Sequence, residues 1–179
     1  MTKQKDEPKI LLDADVVIHF IIAGFQLKLT SIFPGRFVIL DKVKQELTKR
    51  KTEALGVENF LNWCKIPVVI MPGDVEILKE YATLKKSRGD GESACMAVAR
   101  YKREYIASSN LRDIREYCQQ YDIVFYTTID ILEFARQKGI LSENDCDTFI
   151  ATVKKKGSKM PYNTMAEYKR AKNPSQVSR

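Results

Sequence analysis

The sequence has little of what several classes of protein require. It has one histidine, His19, and its four cysteines lie far apart with no C-x-x-C pair: Cys64, Cys95, Cys118 and Cys146. We therefore expect buried thiols in a reducing cytosol rather than a zinc site or a disulfide framework. No apolar run approaches the roughly 18 residues that cross a membrane. The polar residues 1–9 also lack the apolar stretch of a secretory signal. These absences predict a cytoplasmic protein without a membrane-spanning segment.

Positive charge is unevenly distributed along the chain. The formal net charge is +7, and residues 154–179 hold eight basic residues against one acid, whereas the remainder is neutral. Such a basic segment can follow a phosphate backbone, or it can be a solvated end that improves solubility. The first alternative predicts RNA contacts from Lys154, Lys155, Lys156, Lys159, Lys169 and Arg170. We divide the chain into a domain at residues 1–156 and a basic, partly disordered extension at residues 157–179.

Short apolar runs alternate with helical patterns five times. The runs at residues 10–12, 37–40, 67–71, 105–108 and 122–128 predict buried strands. Strands that alternate with helices favour an α/β fold in which helices cover both faces of a mainly parallel sheet. In the helix over residues 53–64 we expect Trp63 to pack inward. In the helix after Asp74 we expect an inward stripe that includes Val75 and Leu78.

Carboxylates occur near the expected strand ends and on the helices that follow. Asp13 closes the first strand, and Asp15 follows two residues later, although either can simply cap the next helix. Asp41 has the same capping role available after the second strand. Glu46 shares a helix face with the apolar Val43 and Leu47, which is unusual for a solvated glutamate, although the edge of that face is an alternative.

A second group of polar residues lies further along the chain. Asp90 and Glu92 flank Gly91 at the start of a helix with small apolar residues, where the helix dipole alone favours acids. Glu92 is expected to point into the fold, and a buried carboxylate needs a cation as its partner. Asn110 and Asp113 follow the fourth strand, although Asp113 can also form a surface ion pair.

These residues together predict a metal site with oxygen ligands. Carboxylates without histidine or cysteine ligands suit Mg²⁺ or Mn²⁺, and such an ion keeps several of its waters. It can activate a water molecule and stabilise charge on a phosphoryl oxygen. A phosphodiester is repelled by an all-acid site until a metal neutralises it, so we expect metal-dependent activity.

The motifs LLDADVVI, VKQEL, GDGESACMAVA, IASSNLRDI and YTTIDILEFARQKGIL, in this order, resemble those of the PIN-domain ribonucleases. The resemblance covers residues 9–150. It implies a three-layer α/β/α sandwich with a central parallel sheet and an acidic cluster that binds Mg²⁺ or Mn²⁺ to cleave RNA. Many bacterial members are toxins held by an antitoxin, and dimers are common, so an antitoxin protein and a second copy of the chain are implied partners.

The resemblance assigns roles to residues of this chain. Asp13, Glu46 and Glu92 match three of the family's acids. Many members have the fourth acid at the position of Asn110, whereas others have asparagine there and an acid three residues later, which Asp113 matches. The implied metal ligands are Asp13, Glu92, Asn110 and Asp113. Thr127 or Thr128 matches the family's hydroxyl position, and Asp15 and Asp90 are additional candidates.

Two other functions are consistent with parts of the pattern. Asn110, a neutral residue at an expected acid position, favours a PIN-like scaffold that binds RNA or a protein without cutting. A flavodoxin-like receiver, phosphorylated on Asp13, requires a carboxylate at the end of the third strand and a lysine after the last strand. The sequence has Met-Pro-Gly-Asp and Tyr-Thr-Thr at those places, which disfavours a receiver.

Overall fold

A computed structural model describes residues 7–49 and 54–172 of the chain. The described residues form five strands: β1 (Ile10–Leu12), β2 (Phe37–Leu40), β3 (Val68–Val69), β4 (Tyr105–Ala107) and β5 (Phe125–Tyr126). They also form ten helices: α1 (Ala14–Ala23), α2 (Gln26–Ile32), α3 (Asp41–Lys49), α4 (Ala54–Cys64), α5 (Val75–Leu84), α6 (Asp90–Lys102), α7 (Leu111–Gln120), α8 (Thr128–Gln137), α9 (Glu143–Lys155) and α10 (Met165–Lys172).

The strands form one parallel sheet in the order β3-β2-β1-β4-β5. Every residue of β1 and β2 is buried. Because successive side chains of a strand point to opposite faces, this burial requires helices on both faces of the sheet. The predicted three-layer α/β/α sandwich with a five-stranded parallel sheet is confirmed.

The order of the strands creates a crevice between β1 and β4. From β1 the chain moves outward to β2 and then β3, and it returns through α5 and α6 to β4 on the other side of β1. The connections that leave the carboxyl ends of β1 and β4 therefore diverge. In open α/β sheets this switch of direction is where ligands bind.

Two expectations about packing are wrong, both near the edge strand β3. Trp63 is 67% exposed, and on α5 the exposed fractions are 58% for Val75 and 43% for Leu78, whereas Ile77 is fully buried. β3 contains only two residues, both exposed. Because α5 packs mainly against α6, and α4 mainly against α2 and α3, each helix buries only part of its apolar residues.

The last described helix packs onto the domain. Met165 and Tyr168 of α10 are buried, and the Tyr168 hydroxyl donates a hydrogen bond of 2.7 Å to Asp130 of α8. Residues 173–179 of the predicted extension lie outside the described residues, and the division at residue 156 stays a prediction. None of the described helices combines the length and the apolar character needed to cross a membrane.

Candidate active site

Asp13 lies at the crevice, directly after β1, with an exposed fraction of 6%. It is the N-cap of α1, and its Oδ1 accepts a hydrogen bond of 2.8 Å from the Ala14 N–H. Its Oδ2 accepts a bond of 3.0 Å from the Ser108 hydroxyl, which follows β4. The capping role is therefore real, and it coexists with a second contact across the crevice.

The surroundings of Asp13 disfavour its negative charge. Burial and then the charge of Asp15 raise the pKa of Asp13 well above its ordinary value, and the charge of Glu92 contributes in the same direction. Hydrogen bonds from Ala14 and Ser108 act in the opposite direction but do not cancel the rise. The charges that most affect Asp13 are thus both negative, a situation that a bound cation would relieve.

Asp15 links the first turn of α1 to the loop that follows β4. Its Oδ1 accepts a bond of 2.6 Å from the Val16 N–H, and its Oδ2 accepts one of 2.8 Å from the Ser109 N–H. The first contact is the helix-start bond expected from the sequence. The second holds the loop after β4 against α1, next to Ser108, the serine that donates to Asp13.

Glu92 reaches the crevice from α6. It has an exposed fraction of 8%, and its Oε1 accepts a bond of 3.3 Å from the Asn110 side-chain amide. The Asn110 backbone N–H donates to the Ser108 hydroxyl at 3.2 Å, and that hydroxyl in turn donates to Asp13. Asp13, Glu92 and Asn110 are therefore connected through Ser108. The structure brings these three predicted residues together.

Glu46 contacts the start of α6. Its Oε2 accepts a bond of 3.1 Å from the Gly91 N–H, one of the helix N–H groups without an intrahelical acceptor. A Cβ on Gly91 would lie 2.3 Å from this oxygen, so only glycine leaves room for the contact. Glu46 thus caps α6 and helps to place Glu92, and its predicted catalytic role stays a prediction.

Cys95 shows that four of the carboxylates act on one place. It is buried in α6, and burial, followed by the charges of Asp13, Glu46, Asp15 and Glu92, raises its pKa well above the ordinary value. All four carboxylates therefore contribute to one negative electrostatic environment around Cys95. The thiol stays protonated there.

Asp90 and Asp113 were the remaining acid candidates. The Asp90 carboxylate pairs with Lys85 at 2.7 Å and accepts a hydrogen bond of 3.0 Å from Tyr81. The bond from Lys85 is the main cause that lowers its pKa. Asp90 thus has partners on α5 and its neighbouring turn. Asp113 belongs to α7, but its side chain lies outside what the structure describes.

Thr128 belongs to a chain of hydroxyl groups. Its Oγ1 lies 2.6 Å from Ser109 Oγ and 2.9 Å from His19 Nδ1, and all three side chains are buried or partly buried. The sequence pattern indicated Thr128 as a site residue, but it did not indicate His19, Ser108 or Ser109. The two serines directly after the fourth strand were the available signal, whereas the contact of His19 depends on how α1 and α8 pack.

The basic residues proposed for RNA binding are only partly available. Lys169 forms an ion pair of 2.6 Å with Glu143, and Lys154 donates a hydrogen bond to Asn163. Arg170 donates to the Ala166 carbonyl within its own helix at 3.4 Å. Lys155, Lys156 and Lys159 are exposed. The RNA-binding assignment stays a prediction.

The donor atoms fit a hard cation with few protein ligands. Among the described residues, no group of three or more histidine, cysteine, aspartate or glutamate side chains is placed to hold one metal ion. Asp13, Glu92 and the Asn110 side chain supply oxygen ligands, and Mg²⁺ commonly binds through one or two carboxylates while keeping several waters. The arrangement thus fits Mg²⁺ or Mn²⁺ through two carboxylates better than a preassembled cluster of four.

Comparison with known proteins adds no relative. No protein-family model matches the chain. No curated protein is significantly similar to it.

Proposed function

We propose that this protein is a metal-dependent ribonuclease of the PIN type. The observation that carries the proposal is the pair of buried carboxylates, Asp13 and Glu92, at the crevice where the sheet changes direction. Burial, the charge of Asp15 and, less strongly, that of Glu92 raise the pKa of Asp13, so the acids of the crevice repel one another. A divalent cation would remove that repulsion, and a phosphodiester carries the charge that such a cation attracts.

The residues of the crevice have separate roles in this proposal. Asp13, Glu92 and Asn110 would hold Mg²⁺ or Mn²⁺. When bound, such an ion lowers the pKa of a water molecule and stabilises charge on a phosphoryl oxygen. The Ser108 hydroxyl and the Asn110 amide fix the orientation of the two carboxylates through the bonds of 3.0 and 3.3 Å. Hydrolysis adds water to the phosphorus and breaks one of its ester bonds to ribose.

A second candidate function is a scaffold that binds RNA or a protein and cuts poorly or not at all. Two observations favour it. Asn110 is neutral, and among the described residues no three histidine, cysteine, aspartate or glutamate side chains are placed to hold one metal ion. An antitoxin partner, a homodimer and a cytoplasmic location are proposals that rest on the family resemblance and the composition.

Cleavage of a mixed RNA pool tests the proposed function. We expect cleavage with Mg²⁺ or Mn²⁺, none with EDTA, and a loss of at least about 100-fold in Asp13→Asn and Glu92→Gln, because these groups hold the metal. Asp41→Asn is a matched control. Asp41 lies at the carboxyl end of β2, and its Oδ1 accepts a 2.9 Å bond from the Met71 N–H that asparagine can also accept.

The outcomes separate the two functions. Cleavage that is lost in Asp13→Asn and Glu92→Gln but kept in Asp41→Asn supports the ribonuclease. RNA that stays intact with every metal, while the protein binds it in a salt-dependent manner, supports the scaffold instead.

A further inference from the structure

A cleft lies beside the candidate active site, at the β5 edge of the sheet. Its volume is about 480 Å³, within the roughly 300–1,000 Å³ that is usual for ligand pockets. Two segments lead from the site into the cleft. Leu111 and Thr127 line the cleft. Their neighbours in the sequence, Asn110 and Thr128, belong to the candidate site. The cleft therefore adjoins the candidate site through these two segments.

Aromatic rings form much of the wall of this cleft. The ring centroids of Tyr126 and Phe134 lie 5.1 Å apart, and those of Tyr162 and Tyr168 lie 5.6 Å apart, both pairs in edge-to-face contact. Tyr162 is half-buried. Its one ring contact among the described residues is that with Tyr168, so at least one face of the Tyr162 ring is not covered by another ring.

The charges of the cleft are largely neutralised by one another. Asp130 accepts a hydrogen bond of 2.7 Å from the Tyr168 hydroxyl and forms an ion pair of 3.2 Å with Lys172. Glu133 pairs with Arg136 at 2.8 Å. Because each carboxylate is paired with a cation, neither disfavours an uncharged flat ring inside the cleft.

Arg115 provides a cation at the wall of the cleft. It is exposed on α7 and forms no ion pair with any carboxylate whose side chain the structure describes. A guanidinium can contact the phosphate next to a bound base, or it can stack on the base. The wall thus combines stacking rings with a cation, the combination that single-stranded nucleic acid requires.

We propose that this cleft binds an unpaired base of a single-stranded RNA whose backbone lies at the Asp13–Glu92 site, with Tyr162 as the stacking ring and Arg115 as the contact to the adjoining phosphate. The inference rests on the proposed ribonuclease function. It adds a subsite for one base beside the proposed cleavage site, and that base must be out of its duplex stack to enter the cleft.

Binding of a short, hydrolysis-resistant phosphorothioate single-stranded RNA to the full chain in Mg²⁺ tests this inference without cleavage. We expect Tyr162→Ala and Arg115→Ala to weaken binding by roughly tenfold each, which is typical for the loss of one stacked base or one charged contact. Tyr162→Phe keeps the ring and should bind like the unmodified protein. Tyr101→Ala and Arg112→Ala are matched controls, because Tyr101 and Arg112 are exposed and do not line the cleft.

An abasic strand of equal length and charge distinguishes a base site from backbone attraction. Tyr162→Ala should leave binding of that strand unchanged, while Arg115→Ala should weaken it. If Tyr162→Ala binds both strands like the unmodified protein, or weakens both equally, the base site is refuted, and an unchanged affinity leaves the cleft to a protein partner. This result is independent of the cleavage assay, since a protein that cuts RNA can lack the base site and a protein that does not cut can have it.

Discussion

The residue with the most consequences is Asp13, which combines a helix cap with a buried charge. It accepts hydrogen bonds from Ala14 and Ser108, yet its pKa is raised, chiefly by burial and by the charge of Asp15. A folded state that binds a proton more tightly than the unfolded chain loses stability as the pH rises from the ordinary carboxyl pKa through the raised one. The charge of buried Asp13 therefore lowers the free energy of unfolding, a loss of stability that is common at functional sites.

Asp13→Asn should consequently stabilise the metal-free protein at pH 8. The expected rise in Tm is at least about 2 °C, the change that roughly 1 kcal/mol produces in a domain of this size. The difference should shrink towards pH 4, where the unmodified Asp13 is protonated. Thermal unfolding of both proteins in EDTA at the two pH values measures this effect.

Asp145→Asn provides a comparison of opposite sign. Hydrogen bonds from the Ser142 side chain and backbone lower the pKa of Asp145, so its contribution to stability is present above the unfolded pKa and is lost as the pH falls. This variant should be less stable than the unmodified protein at pH 8. An Asp13→Asn protein that unfolds at or below the unmodified Tm at pH 8 would contradict the electrostatic description of the site.

Among the elements, α6 determines where Glu92 lies. Its start is held by Glu46, whose carboxylate accepts the Gly91 N–H at 3.1 Å. Gly91 is needed for this approach, since an added Cβ would lie 3.2 Å from the Val43 Cα as well as 2.3 Å from Glu46 Oε2. Gly91, in the first turn of α6, thus allows the close packing of α6 against α3.

Gly91→Ala should therefore destabilise the protein by about 1–3 kcal/mol, the range for overpacking. Helix propensity alone predicts the opposite sign, because alanine is favoured over glycine by about 1 kcal/mol inside a helix. Gly73→Ala is the control, since an added Cβ there meets no atom within 4 Å. Denaturant unfolding of both variants decides between the signs, and a Gly91→Ala protein as stable as the unmodified one would show that Glu46 does not hold α6 as described.

The strands and helices that follow from a short-range sequence pattern were predictable, whereas the burial of side chains on helices near the edge of the fold was not. The strand predicted at residues 37–40 was confirmed. The predicted inward face of α5 was wrong because α5 packs mainly against α6 and leaves Val75 and Leu78 exposed, a packing that the sequence does not reveal. The position of Asp41 also differs from the prediction. It lies within the first turn of α3 instead of preceding the helix as a cap, and it accepts a hydrogen bond from the Met71 N–H.

At the scale of the whole molecule, the site is assembled by the order of the strands. β1 and β4 are neighbours although their residues are about 95 positions apart, as the Leu12–Ala107 pairing shows. Because parallel strands place their carboxyl ends at one edge, the sequence was sufficient to expect Asp13 near Asn110. The contacts of Ser108, Ser109 and His19 could not be predicted, since each depends on the side-chain packing of segments distant in sequence.

The assembled site makes metal binding the most direct measurement. Titration of the full chain with Mn²⁺, followed by the loss of the free-ion signal in electron paramagnetic resonance, should show a site that is lost in Asp13→Asn and Glu92→Gln and kept in Asp41→Asn. Equal binding by the unmodified protein and the two site variants, or no binding by any of them, would contradict the assignment of the Asp13–Glu92 crevice as a metal centre.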